Sequence, residues 1–217
     1  MYSAVIVAAG SAVRTGLGYN KIFYKIKNRP LIDYSVRRFL GDEECGEVII
    51  VVSKEDLQEV RSLFSNPKIK YVIGGSTRQK SVFNGLSLIN EEFVFIHDSA
   101  RPNLSETDIF NLKNSLKDND AVVLYTPVKD SVVEYSGKRI SNYLQRDQVG
   151  LIQTPQAFRS DAIKKAHSLA LKNKHDYKDD AGVYMNELGL PVELIEGNEF
   201  NIKATTKFDL KILEELL

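Results

Sequence analysis

The chain has 217 residues, 43% of them hydrophobic and 27% charged, which suits one α/β domain with a substantial core. Basic and acidic side chains number 29 each, so the net charge is zero and no global basic field exists to hold nucleic acid or an anionic membrane. A single cysteine, Cys45, excludes an internal disulfide and a thiolate metal cluster, and reads as a small residue at the edge of a strand in a reducing compartment.

In chain order, the opening MYSAVIVAAG lacks the basic lead-in and long apolar core of a signal peptide. No apolar run approaches the roughly 18 residues of a membrane span, so the expected location is the cytoplasm. Residues 3–7 read as a buried strand, as do 48–52, 69–73, 93–96 and 121–125, because these β-branched or aromatic runs are too short for helices. Helical patterns fall between them. Pro30 serves as a first-turn proline ahead of the apolar face Leu31, Ile32, Val36, Phe39 and Leu40. Ser76 to Gln79 has capping-box spacing before Val82, Leu86 and Ile89, and Ser105 caps a helix carrying Ile109, Leu112 and Leu116.

This alternation predicts βαβ units and a Rossmann-like, mostly parallel sheet flanked by helices. After Pro127 the pattern changes. Residues 131–143 read as two short polar strands around Ser136-Gly137, too polar for a core and better placed as a projecting β-arm. Helices at residues 160–173 and 179–188, a strand near 192–195 and a closing helix from Thr206 follow. The whole reads as one domain, residues 1–217, with the arm inserted at about 131–150.

Ligands of open parallel sheets bind beyond the carboxyl ends of the strands. Three such ends carry phosphate chemistry here. The first strand runs into Ala8-Ala9-Gly10 and then Arg14; the third runs into Gly74-Gly75 and a helix N-terminus; the fourth ends at His97-Asp98, a place for a carboxylate holding Mg²⁺. There is no G-x-G-x-x-G after the first strand, no P-loop and no G-x-S-x-G elbow. His97, His167 and His175 lack metal-site spacing. The last two fall in a surface helix or loop, and His97 reads first as a packed strand-end histidine.

These residues, in order, resemble the 2-C-methyl-D-erythritol 4-phosphate cytidylyltransferase family over essentially the whole chain. The likeness rests on the N-terminal AAG with Arg14, Asn20-Lys21-Ile22-Phe23, Gly74-Gly75 with Arg78-Gln79-Lys80-Ser81-Val82, and His97-Asp98-Ser99-Ala100-Arg101-Pro102. It continues through Pro127 to Ser131, Arg146, Gln153 to Phe158, Asp179-Asp180-Ala181 and Asn201-Ile202-Lys203. Ribitol 5-phosphate cytidylyltransferases share most of these motifs. The R-Q-x-S-V string and the alanine of HDSARP lean towards methylerythritol phosphate.

The resemblance implies that an acceptor phosphate oxygen attacks the α-phosphate of CTP and pyrophosphate leaves, so catalysis is positioning and charge stabilisation. Arg14 and Lys21 would neutralise the transition state, and Asp98 would hold Mg²⁺. Ala8, Ala9, Gly10, Gly75 and Ser81 would read cytosine and ribose. Arg101, Ser131, Arg146 and Lys203 would bind the sugar-alcohol phosphate, with Arg146 serving the other subunit of a homodimer joined through the arm. Ala12, Thr15, Ser76 and Val149-Gly150 depart from the family pattern without deleting a needed charge; Ser76 is expected still to cap its helix. The alternatives are the same chemistry on ribitol 5-phosphate, a CTP-binding paralogue without turnover, and a flavodoxin-like binding module. The last leaves the arm, the paired glycines and the ordered lysines unexplained.

Overall fold

The β-branched runs pair as strands β1 (Tyr2–Val7), β4 (Cys45–Val52), β5 (Ile69–Ile73), β6 (Phe93–Asp98), β7 (Ala121–Pro127), β10 (Gly150–Arg159) and β11 (Glu193–Glu196). Two short pairs stand apart from them: β2 (Lys25–Ile26) with β3 (Arg29–Pro30), and β8 (Val132–Ser136) with β9 (Arg139–Leu144). The computed structural model describes residues 1–10 and 17–217; Arg14, Ala12 and Thr15 therefore lie outside the described residues. Among the described residues the helices are α1 (Leu31–Leu40), α2 (Leu57–Leu63), α3 (Arg78–Leu86), α4 (Glu106–Ser115), α5 (Ser160–Asn173), α6 (Asp180–Leu188) and α7 (Lys207–Leu216).

The main sheet has the order β11-β7-β10-β6-β1-β4-β5. Neighbours are parallel except at β10, which runs against both β6 and β7. From β1 the chain builds outward through β4 and β5, then returns to place β6 on the other side of β1. The order therefore reverses at the β1–β6 boundary, where the carboxyl ends of the two strands open a crevice.

Strand alternation divides the core between the two faces. Ala4, Ile6, Ile50 and Phe95 pack with Ile32, Val36 and Phe39 of α1 and with Ile109 and Leu112 of α4. Val5, Ile49, Val51 and Ile96 pack with Val82 and Leu86 of α3, Ile163 and Ala166 of α5, and Tyr184 of α6. The closing helix α7 makes a third cluster, Leu210 and Leu213 against Ile26, Leu31 and Ala204, which fixes the preceding segment near the crevice.

The sequence reading missed two elements of consequence. Helix α2 is only seven residues long and its N-cap residue, Asp56, makes no side-chain capping bond to it. Strand β10 carries Pro155 and the polar run Gln153-Thr154, which argue against a central strand. Its polar side chains are nevertheless buried and bonded: Gln156 Oε1 accepts the N–H groups of Asp180 and Ala181, each at 2.9 Å. Two smaller differences concern caps. Pro30 is the N-cap of α1 rather than a first-turn residue, and Thr77, not Ser76, caps α3 by accepting from Lys80 N. Ser105 caps α4 with Asp108 closing the box. His167, expected on a surface, is fully buried, because its face of α5 lies against α6.

Strands β8 and β9 form the arm, turning at Gly137 with φ +60°, a left-handed conformation that glycine adopts without steric cost. Tyr135, Ile140 and Tyr143 on it are exposed. Gly150, at the base of the arm, sits where a Cβ would come within 2.7 Å of the Tyr125 ring. Among the described residues no helix is long and apolar enough to cross a membrane.

Cys45 is fully buried at the start of β4, and burial pushes its thiol up to about 12. Thiolate is the reactive species. The native protein is therefore expected to resist iodoacetamide at pH 8 and to be alkylated once denatured, as intact-mass measurement would show; rapid native labelling would contradict this packing.

Candidate functional site

A cavity of about 350 Å³ opens at the carboxyl ends of β1 and β6. It is lined by Ala8, Ala9 and Gly10, by Gly75 to Arg78 and Ser81, and by Asp98 to Ala100, with Asn20, Lys21 and Lys203 completing it. The walls are set by backbone continuity with the sheet. Ala8 N donates to Val51 O at 2.8 Å, and Gly74 N donates to Val52 O at 2.9 Å. A Cβ on Gly74 would lie 2.4 Å from Ala9 Cβ, so glycine is what allows the two loops to touch.

Lys21 and Lys203 come from opposite ends of the chain. Asn20 holds the Lys21 segment by donating to Asp56 Oδ2 at 2.8 Å, and Lys21 Nζ donates to Ala204 O at 2.6 Å. Ala204 N in turn donates to Ala100 O at 2.8 Å, which places Lys203 above β6. Lys203 Nζ donates to Asp98 Oδ2 at 2.5 Å, and Arg78 Nε donates to Asp98 Oδ1 at 3.0 Å.

Burial would raise the Asp98 carboxyl, but the neighbouring Arg78 and Lys203 outweigh it and hold the group well below the usual carboxylate range. Arg78 is shifted the other way: burial works against its charge, and Asp180 and Asp98 together hold it protonated more firmly than in water. His97 is fully buried, and burial brings it down to about 4. Its Nε2–H donates to Arg101 O at 3.0 Å, while Thr154 Oγ1 lies 3.2 Å from Nδ1 and accepts Asp98 N–H at 3.1 Å. His97 is thus a neutral strut beneath Asp98, in keeping with the packed strand-end reading.

The cavity brings together Ala8, Ala9, Gly10, Lys21, Gly75, Ser81, Asp98 and Lys203 of the sequence-predicted site. Arg101, Ser131 and Arg146 do not line it. Arg101 is turned to backbone carbonyls, Nη1 to Asn201 O at 2.6 Å and Nη2 to Ile152 O at 3.4 Å, with Nε buried and unpartnered. Ser131 and Arg146 are exposed at the base of the arm, where Arg146 Nη1 donates to Lys129 O at 3.2 Å. The sequence reading assigned no role to Arg78. The available signal was its position as the first residue of α3, directly after the paired glycines.

A larger hollow, about 710 Å³, lies on the flank of α1 and α4 and contains none of these residues. Its basic side chains are already paired, Arg38 with Glu106 at 2.5 Å, Lys113 with Asp42 at 2.9 Å, and Arg29 and Arg37 each with Asp33 at 2.7 Å, which leaves little field for an anionic ligand. The smaller cavity, which gathers the ordered motifs, is the candidate site.

The depressed Asp98 carboxyl has a signed consequence. Its stabilisation is complete above the unfolded value of about 3.9 and is lost as pH falls below that towards the lower folded value. Asp98→Asn should therefore flatten the loss of Tm between about pH 4 and pH 2. Thermal melts of both proteins across that range test it, and parallel curves would remove Asp98 as a contributor.

The family model described as "IspD: 2-C-methyl-D-erythritol 4-phosphate cytidylyltransferase" matches residues 2–217. The protein of that name from Halalkalibacterium halodurans is 36% identical over all of this chain and 96% of its own length. The one from Dictyoglomus thermophilum is 38% identical over 98% of this chain and 95% of its own. Among solved structures, the 4-diphosphocytidyl-2C-methyl-D-erythritol synthase of Anaerococcus prevotii superposes with a TM-score of 0.87 at 29% identity, covering 99% of this chain and 97% of that one. The cytidylyltransferase of Francisella tularensis gives 0.85 at 27% identity, over 100% and 99%.

Proposed function

The chain belongs to the 2-C-methyl-D-erythritol 4-phosphate cytidylyltransferase family, CTP-dependent nucleotidyltransferases of isoprenoid biosynthesis, and from that premise we propose how its residues divide the reaction. The acceptor is 2-C-methyl-D-erythritol 4-phosphate and the products are 4-diphosphocytidyl-2-C-methyl-D-erythritol and pyrophosphate. The observation that carries the reading is the convergence of Lys21, Lys203 and Arg78 with one carboxylate, Asp98, at the β1–β6 switch point.

The acceptor phosphate is ionised at neutral pH, so an oxygen of it attacks the α-phosphorus without a general base. The new P–O bond forms as the bond to pyrophosphate breaks, and the electron pair leaves on pyrophosphate. Lys21, with Arg14, neutralises charge on the transition state and leaving group. The backbone at Ala8, Ala9 and Gly10 with Gly75 and Ser81 reads cytosine and ribose; a wall of small residues favours a pyrimidine over a purine by size. Lys203, Arg101 and Ser131 take the acceptor, which requires Arg101 to exchange a backbone carbonyl for phosphate.

Magnesium belongs to the same proposal. Asp98 is the one carboxylate among the described lining residues, and a carboxylate offers about four acceptor sites against the two cation contacts made here. Mg²⁺ needs only one or two carboxylates, with phosphates and water for the rest. When bound, the ion supplies Lewis acidity and neutralises phosphate charge.

The homodimer is supported by the exposed Tyr135, Ile140 and Tyr143 of the arm, apolar surface that a second copy would cover. Arg146, exposed at the arm's base, would then reach the partner's cavity. A cytoplasmic location accords with the lone buried thiol. Ribitol phosphate is less favoured as acceptor, because the relatives matched here are named for methylerythritol phosphate.

Pyrophosphate release with CTP and Mg²⁺, offered methylerythritol 4-phosphate and ribitol 5-phosphate in parallel, tests the assignment. Preference for the first is expected; preference for the second moves the enzyme to polymer precursors, and no turnover despite CTP binding defeats the reading. The shared site has its own test. Lys21→Ala is expected to lower kcat by at least roughly 100-fold with the fold intact. Mixed with an inactive Arg146→Ala protein, it should regain part of the activity. No recovery after proven subunit exchange would count against Arg146 acting in trans.

A further inference from the structure

Behind the cavity wall, two buried groups that the proposed reaction does not use, His167 and Asp180, extend a line of charges leading to Asp98. His167 Nε2 lies 3.1 Å from Asp180 Oδ1, and Asp180 Oδ2 accepts from Arg78 Nη1 at 2.9 Å. Arg78 Nε then reaches Asp98 Oδ1, and Asp98 Oδ2 holds Lys203. The signs alternate from the lysine inward, and both His167 and Asp180 are fully buried.

We propose that Asp180, seated by His167, is a positioning residue that holds the Arg78 guanidinium between two carboxylates and so sets Asp98 and the Gly75–Ser81 wall for nucleotide binding. The inference rests on the reading of this cavity as the CTP site.

Three observations support it. Asp180 is itself rigid: it is the first residue of α6, its N–H and that of Ala181 both donate to Gln156 Oε1, and Asp179 caps the helix. Arg78 is the first residue of α3, so its tether also anchors the turn that carries Gly75 and Ser81. Gln79 fastens the same turn a second time, donating to His175 O at 3.0 Å and accepting from Tyr177 N at 2.8 Å. Asp180 is ionised: burial opposes its charge, but Arg78 and the bond from His167 prevail. A carboxylate only accepts, so His167 carries a proton on Nε2, and its Nδ1 is buried without a hydrogen-bond partner. Without Asp180, Arg78 has only Asp98 to hold it and competes with Lys203 for that carboxylate.

The test exploits a difference in sign. Removing a negative charge near a polyphosphate site should, by charge alone, tighten CTP. Loss of positioning should weaken it. Calorimetric CTP affinity without acceptor, with steady-state kinetics and thermal melts, is measured for wild type, Asp180→Asn, His167→Leu and His167→Gln. Asp180→Asn and His167→Leu are expected to weaken CTP binding and lower kcat/KM for CTP by about tenfold or more, the scale of lost outer-shell partners, leaving the acceptor KM near wild type. His167→Gln, whose amide can still donate to Asp180, should recover most of the loss. Unchanged or tighter CTP binding in folded Asp180→Asn and His167→Leu, with only Tm lowered, would overturn the proposal. If Asp180→Asn fails to fold, the comparison of His167→Leu with His167→Gln decides: equal deficits refute the proposal. A wild-type protein that binds CTP but turns over neither acceptor would defeat the assigned function alone, and the affinities of the variants would still decide this inference.

Discussion

Taking a carboxylate out of water costs several kcal/mol unless cations and hydrogen bonds accompany it, and most of the site follows from how Asp98 meets that requirement. Asp98 ends a buried central strand with little solvent access. It can remain ionised only because Arg78 and Lys203 each hold one of its oxygens and Thr154 takes its N–H. Those partners come from α3, from the segment before α7 and from β10, so one charge ties together three parts of the chain far apart in sequence. The same arrangement concentrates positive charge at the mouth of a small-residue crevice, where a polyphosphate is best accommodated.

The reversed strand β10 has a matching purpose. Its polar residues would be poor core material in an ordinary strand, yet each answers a buried group: Thr154 faces His97 and Asp98, and Gln156 closes the first turn of α6. Gln153 Nε2 donates to Asn198 O, and Asn201 Nδ2 donates to Thr154 O, which lashes the stretch ahead of α7 to the sheet. Lys203 therefore owes its place to β10 as much as to α7. A buried polar network of this kind is stable only when its members are satisfied together, so its residues act as a set.

The arm follows a different logic. It contributes no core, and its tyrosines and isoleucine face outward. Ser131 and Arg146 at its base point to no group in the cavity of their own chain. The homodimer proposed above would cover the exposed apolar face and give Arg146 a use in the partner's cavity.

Periodicity in the sequence determined most of the scaffold. The runs at β1, β4, β5, β6 and β7 are continuous and β-branched, the faces of α1, α3, α4 and α5 repeat at helical spacing, and Ser136-Gly137 marks a turn, because these signals are local. The ordered motifs likewise named Lys21, Asp98 and Lys203, and the family to which they belong. What the sequence could not supply was partnership. Arg78 and Asp180 lie 102 positions apart, and Lys203 and Asp98 lie 105 apart. Strand β10 looked unlike a strand because its side chains were chosen to satisfy distant buried groups rather than to fill an apolar layer. His167 read as a surface residue until α6 covered it. Local pattern decides which segments are helix or strand; only chain closure in three dimensions decides which charges must be neutralised together, because that cost arises when water is excluded.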